Sequence, residues 1–155
     1  MLQQSFSEVY TKFKLHFYQK VFSKFGSREA TLTTVETFCM EIIQAMGSPT
    51  VNEFASFVHI SPPNAAYKVN SLIQKGYLKK VQSQSDRREY HIVPTQKYMD
   101  YYNVSYTYLS TVLQRVEKRF PPEDVKKLEE MLQVISRELM PEIPIQVQKI
   151  GRAHV

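Results

Sequence analysis

The chain has 155 residues, 43% of them hydrophobic and 23% charged, with a formal net charge of +5 and a pI near 9.2. That suits one globular domain, or two small lobes sharing a core, and a mildly basic balance favours a polyanionic partner without identifying it. No apolar run approaches the ~20 residues of a membrane span, Met1–Ser5 has neither the basic start nor the apolar stretch of a signal peptide, and the single cysteine, Cys39, excludes an internal disulfide. A cytoplasmic protein with no membrane partner is expected.

The first predicted helix carries Phe6, Val9, Tyr10, Phe13, Phe17, Val21 and Phe25 at steps of three and four. Ser5 with Glu8 reads as its capping box and Gly26 as its stop. Thr33 with Glu36 opens a second helix, expected to turn Val35, Phe38, Cys39, Ile42 and Met46 inward and to stop at Gly47. Thr50 with Glu53 opens a third, short helix with Val51, Phe54, Ala55 and Val58 inward; His59-Ile60 form a turn. Ser61 then caps a fourth helix with Pro62 at its first position, where a missing amide hydrogen costs nothing. Ala65, Val69, Leu72 and Ile73 lie on its inner stripe, and Gly76 stops it.

Two strand-like runs follow, Tyr77–Gln82 and Glu89–Val93, around a loop with no apolar residue. A long tyrosine-rich helix from Thr95 to about Phe120 ends at Pro121-Pro122. The last helix, Glu123 to about Leu139, carries Val125, Leu128, Leu132, Ile135 and Leu139 on a stripe expected to be buried. Ile150–Val155 matches a translated sequencing adapter and is read as a non-native tail, with a genuine disordered tail as the alternative; either way it carries no part of the expected fold. Without Arg152 the charge would be +4 rather than +5, which changes no conclusion.

This order is the outline of a mainly α protein with a small β wing: a winged helix-turn-helix with flanking dimerisation helices. Residues 31–95 are expected to form the DNA-binding lobe, and 1–30 with 96–140 the helical dimerisation lobe. In such a module the second helix lays its N-terminal residues against base edges, which calls for small or polar side chains on its outer face. Ser61, Pro63, Asn64, Tyr67, Lys68 and Ser71 are assigned to that face. Asn64 can pair with adenine, and Lys68 can reach guanine or phosphate. The wing contributes Lys79, Lys80, Ser83, Asp86, Arg87 and Arg88, read as a mobile basic finger suited to phosphates or to a narrow minor groove. Asp86 fits there as the partner of a guanidinium in a bidentate ion pair.

Thr50–Ala55, Leu72–Leu78, Asp86-Arg87-Arg88 and Val93-Pro94-Thr95 together resemble the signature of MarR-family transcription regulators, and the flanking helices resemble it in number and order over nearly the whole chain. The resemblance implies that Arg88 enters the minor groove, held by Asp86, while Arg87 touches the backbone. It also implies a homodimer built from the first and the last two helices, reading a pseudo-palindromic operator through recognition helices roughly 34 Å apart. The large apolar stripes of the first and last helices independently call for a partner. Many such regulators release DNA when a small aromatic or lipophilic ligand binds, and Phe13, Phe17, Phe38, Tyr101 and Tyr102 are the candidate lining residues, weighed against ordinary packing. Two departures stand out: Pro62-Pro63, where the family more often has polar residues, and Pro94 in place of leucine. They bear on base preference rather than on the fold.

A sequence-specific DNA-binding regulator, a repressor, is thus the leading reading. The competing one is a winged-helix protein-interaction module that does not bind DNA. An enzyme has no support, since no catalytic triad or glycine-rich phosphate loop occurs among only four glycines. No cofactor is implied, and His16, His59, His91 and His154 have no metal-ligand spacing. Cys39 could sense oxidants, but its place on an apolar stripe favours buried packing.

Overall fold

Among the described residues eight elements follow one another: α1 (Leu2–Phe25), α2 (Thr34–Met46), α3 (Val51–Val58), α4 (Pro62–Gln74), β1 (Leu78–Gln82), β2 (Tyr90–Pro94), α5 (Gln96–Arg119) and α6 (Pro122–Glu138). The computed structural model describes residues 1–25 and 32–145, except the side chains of 24–25 and 101–105. Gly26 and Ile150–Val155 lie outside the described residues. The chain divides into a helical unit, Met1–Ser23 with Val104–Ile145, and a winged unit whose described residues fall within 24–103.

Local hydrogen bonds explain most boundaries of the winged unit. Thr33 and Thr50 each accept the amide of the glutamate three residues on, while that glutamate's carboxylate accepts the threonine amide, so two free helix donors are satisfied at each start. Gly47 ends α2 with φ 75°, a left-handed conformation that side chains resist. At the end of α3 His59 itself takes φ 58°, and the Ile60 amide donates back to the Ala55 carbonyl. Ser61 caps α4 by accepting from the Asn64 amide at 3.3 Å, with Pro62 and Pro63 in the first turn. Gly76, at φ 84°, closes that helix as the Tyr77 amide reaches the Leu72 carbonyl at 3.0 Å.

The wing is a two-stranded antiparallel ladder in which Leu78 faces Pro94, Lys80 faces Ile92 and Gln82 faces Tyr90. Its inner strand is pinned to the start of α3. The Ile92 amide donates to the Pro49 carbonyl at 2.8 Å, Thr50 bridges His91, and the His91 Nδ1 lies 2.8 Å from the Ser48 carbonyl. Thr95 ties the strand exit to the helix exit, its hydroxyl donating to the Gly76 carbonyl at 2.6 Å. Met40, Ile43, Phe54, Ala65, Val69, Leu72, Leu78, Ile92 and Tyr98 fill the core of this unit.

Three expectations are corrected. α1 begins at Leu2 rather than at Ser5, whose hydroxyl donates back to the Met1 carbonyl instead of capping. The inner face of α2 is Thr37, Cys39, Met40 and Ile43; Val35 and Phe38 are exposed, and Ile42 and Met46 are only half-buried. The α6 stripe is not buried: Leu128, Leu132 and Leu139 are exposed and Val125 and Ile135 half-buried. On α1, Phe6, Val9 and Tyr10 are likewise exposed, while Val21 is buried. The physical reason in the helical unit is simple. No residue of α6 is buried, and of the described α1 stripe only Val21 is, because apolar periodicity marks a face without supplying the partner that covers it.

One ion pair carries a pH signature. Lys75 Nζ on the last turn of α4 meets Glu36 Oε1 in the α2 capping box at 2.7 Å, the carboxylate side chain being 13% exposed. Burial pushes the Glu36 carboxyl up, but the hydrogen bonds from Lys75 and from the Thr33 amide and hydroxyl outweigh it and hold the group below its ordinary 4.5. A depressed carboxyl contributes stability that is present above the ordinary value and lost as pH falls through the folded one. Lys75→Met should therefore cost about 1–3 kcal/mol at pH 7, from leaving a largely buried carboxylate unpaired. In urea unfolding followed from pH 7 to pH 3, the gap between the two proteins should shrink toward the acid end.

Candidate nucleic-acid interface

The site is built from α4 and the wing, which belong to one unit and are joined by the Gly76 turn. On α4 the core side is fixed by Ala65, Val69 and Leu72, all buried. With 3.6 residues per turn, the direction opposite that side carries Pro63, Tyr67, Asn70 and Gln74, and all four are exposed. Tyr67 is 76% exposed. Ser61 and Asn64 are exposed at the N-terminal end, whereas Lys68 and Ser71 sit on the flank and are half-buried. Sequence reading missed Asn70 and Gln74. The signal was available: both lie on the i, i+4, i+7, i+11 stripe that starts at Pro63. The helix has no acidic residue, so nothing on it repels a phosphate backbone.

The wing tip is tied to itself rather than being a free finger. The Ser83 amide donates to the Glu89 carbonyl at 2.9 Å, the Glu89 amide to the Asp86 carbonyl at 3.0 Å, and Gln82 Nε2 to the Arg87 carbonyl at 2.6 Å. Ser83 Oγ accepts from the amides of Ser85 and Asp86. Asp86 Oδ1 then accepts from the Arg88 amide at 3.0 Å and from Arg88 Nε at 3.5 Å. One oxygen serves both donors, so the pair is not the bidentate one expected. Its work is done on the backbone, where the carboxylate sets the course of the chain into Arg88.

The Arg88 side chain is 93% exposed, so the ion pair adds nothing measurable to stability and leaves the guanidinium edges open to a ligand. Arg87 is exposed next to it in the tip, Lys79 and Lys80 are exposed farther along β1, and Ser83 is half-buried. The hairpin from Leu78 to Pro94 carries four cations, Lys79, Lys80, Arg87 and Arg88, a charge that favours polyanions.

The other sequence assignments fall outside this interface. Phe13 and Phe17 belong to the helical unit and are half-buried; Phe13 meets the Tyr108 ring edge-on at 5.7 Å, and His16 stacks on the same ring at 3.6 Å. Phe38 belongs to the winged unit and is exposed, and the side chains of Tyr101 and Tyr102 lie outside the described residues. Cys39 is buried in the core, and that burial pushes its thiol up, against a small opposing pull from Lys68. A thiol so placed is a poor nucleophile and packs as a small apolar group. Among the described residues no group of three or more His, Cys, Asp or Glu could hold a metal ion, and no helix is long and apolar enough to cross a membrane.

Known proteins share this architecture. The MarR family model matches residues 32–90, from the start of α2 into β2. No curated protein matches the sequence. Among solved structures, transcriptional regulator Tm0710 from Thermotoga maritima is 18% identical with a TM-score of 0.58, covering 91% of this chain and 94% of its own. FabT from Streptococcus pneumoniae, solved in complex with DNA, is 17% identical with a TM-score of 0.59, covering 92% and 99%. A mutant MepR from a multidrug-resistant clinical isolate of S. aureus is 14% identical with a TM-score of 0.63, covering 90% and 97%. At such identities the likeness speaks to the fold, and the fold is the winged helix-turn-helix with flanking helices. The 32–90 segment is thus similar to the MarR family, and the chain around it shares the fold of these solved regulators.

Proposed function

We propose that the protein is a sequence-specific DNA-binding transcriptional regulator, a cytoplasmic repressor, acting as a homodimer on a pseudo-palindromic operator. The observation that carries this reading is the wing. Asp86 shapes the backbone into Arg88, and the exposed guanidinium stands on a basic hairpin in the same unit as an exposed, acid-free recognition helix. The family match and the DNA-bound structure of FabT support it. So does the structure of a MepR mutant bound to an oligodeoxyribonucleotide. For the dimer the support is the exposed apolar side chains of α1 and α6, more than a monomer leaves in water without use.

Release by a small aromatic or lipophilic effector completes the proposal, with Phe13, Phe17, Phe38, Tyr101 and Tyr102 as the side chains to probe. To be useful, such a ligand must favour the released form by ~1–3 kcal/mol. Selection from a pool of random duplexes, followed by gel-shift titration, tests the DNA reading. A single enriched inverted repeat is expected, with log affinity falling against log salt at about −0.9 per phosphate neutralised. No binding to any duplex at low salt would sink it.

A further inference from the structure

The outward stripe of α4 has an unusual composition for a surface that meets DNA. Its first two members, Pro63 and Tyr67, are a ring without a donor and an aromatic face 76% exposed. The next two, Asn70 and Gln74, are carboxamides, and neither their side chains nor that of Tyr67 has a hydrogen-bond partner among the described residues. At 1.5 Å per residue the eleven steps from Pro63 to Gln74 span about 16 Å. That length matches four to five base pairs at roughly 3.4 Å each.

The major groove presents one apolar feature, the 5-methyl group of thymine. Adenine presents an acceptor beside a donor, matching a carboxamide, whereas guanine presents two acceptors. We propose, building on the DNA-binding reading above, that Pro63 and Tyr67 read thymine methyl groups and that Asn70 reads the adenine edge beside them. Each half-site then contains A·T pairs under the first three turns of α4. Asn64, assigned to adenine from its place in the first turn, lies about 100° around the helix from Pro63 and so faces the flank of the groove. Asn70 lies within about 20° of Pro63 and takes that role. Tyr67 acts through its ring face, so its hydroxyl is dispensable.

The test uses the full chain and its selected operator, with fluorescence anisotropy as the readout. Each thymine is replaced singly by deoxyuridine, which lacks only the methyl group, and adenines by 7-deazaadenine, which lacks only the N7 acceptor. At one or two thymines per half-site, deoxyuridine should weaken the wild-type protein about four-fold, the worth of one buried methyl group. Tyr67→Ala should bind more weakly and lose the sensitivity at one of those thymines, while Tyr67→Phe keeps it. A 7-deazaadenine beside those thymines should cost the wild type about five-fold or more and cost Asn70→Ala nothing further. Tyr67 and Asn70 are exposed, so all three variants should melt with the parent. Specific binding that ignores deoxyuridine at every thymine, or methyl effects that all survive undiminished in Tyr67→Ala, overturns the thymine assignment while leaving the regulator reading standing. A 7-deazaadenine penalty that persists in Asn70→Ala overturns the adenine assignment. Failure to bind any duplex overturns both that reading and this one.

Discussion

Leu132→Glu should turn a dimer into a folded monomer that has lost its operator. Leu132 sits mid-way along α6 on a stripe with Leu128 and Leu139, and all three are exposed in the protomer. A carboxylate there costs the protomer little, because the side chain already meets water. In the proposed dimer the same position would be desolvated twice, once from each chain, and an unpaired charge in an apolar interface costs several kcal/mol. Sedimentation should report a halved mass with unchanged far-ultraviolet circular dichroism. Operator affinity should fall by about 10²–10⁴, the usual advantage of engaging two half-sites at once. Leu132→Met, which keeps the apolar volume, should behave as wild type. An undiminished dimer in Leu132→Glu would place the interface elsewhere.

The second large effect is expected at the wing. Replacing both Arg87 and Arg88 by alanine removes two of the hairpin's exposed cations, and operator affinity should drop about 10- to 100-fold near 100 mM salt. The dependence of log affinity on log salt should become shallower by about one to two units, since each lost phosphate contact removes roughly 0.9. Stability should hardly move, because both side chains are exposed and the Arg88–Asp86 pair lies in water. Asp86→Ala separates shape from charge. It makes the hairpin more basic but removes the acceptor of the Arg88 amide, so its affinity should fall despite the added positive charge. A rise on Asp86→Ala would mean that net charge alone governs the wing. The pairing of a stable melt with a changed salt slope separates this prediction from a folding defect.

Much of the winged unit was legible because its determinants are local. A capping box joins residues three apart, a left-handed glycine ends the helix it follows, and a proline in the first turn gives up no hydrogen bond. Thr33/Glu36, Thr50/Glu53, Ser61-Pro62, Gly47 and Gly76 therefore stand where the sequence reading put them. Ser5/Glu8 has the same spacing and did not cap, because the chain before it is itself able to continue the helix to Leu2. The wing's loop was equally readable as polar, but that its tip is closed by Ser83, Asp86 and Glu89 depends on the ladder holding both strand ends in register.

What the amino-acid sequence determined by itself is the order of elements, the helix ends marked by caps and glycines, and the basic hairpin. Tertiary structure decided which way each helix faces. Apolar periodicity states that a helix has an inner side, but on α2 the candidate stripes overlap, and packing on α4 and β2 chose Met40 and Ile43 over Val35 and Phe38. The same rotation on α4, set by Ala65, Val69 and Leu72, kept Pro63 and Tyr67 outward and moved the rest of that face from Asn64, Lys68 and Ser71 to Asn70 and Gln74. A helix's hydrogen bonds are made within its own few residues and can be read from them. Its orientation is fixed by partners dozens of residues away, and only the folded chain supplies those.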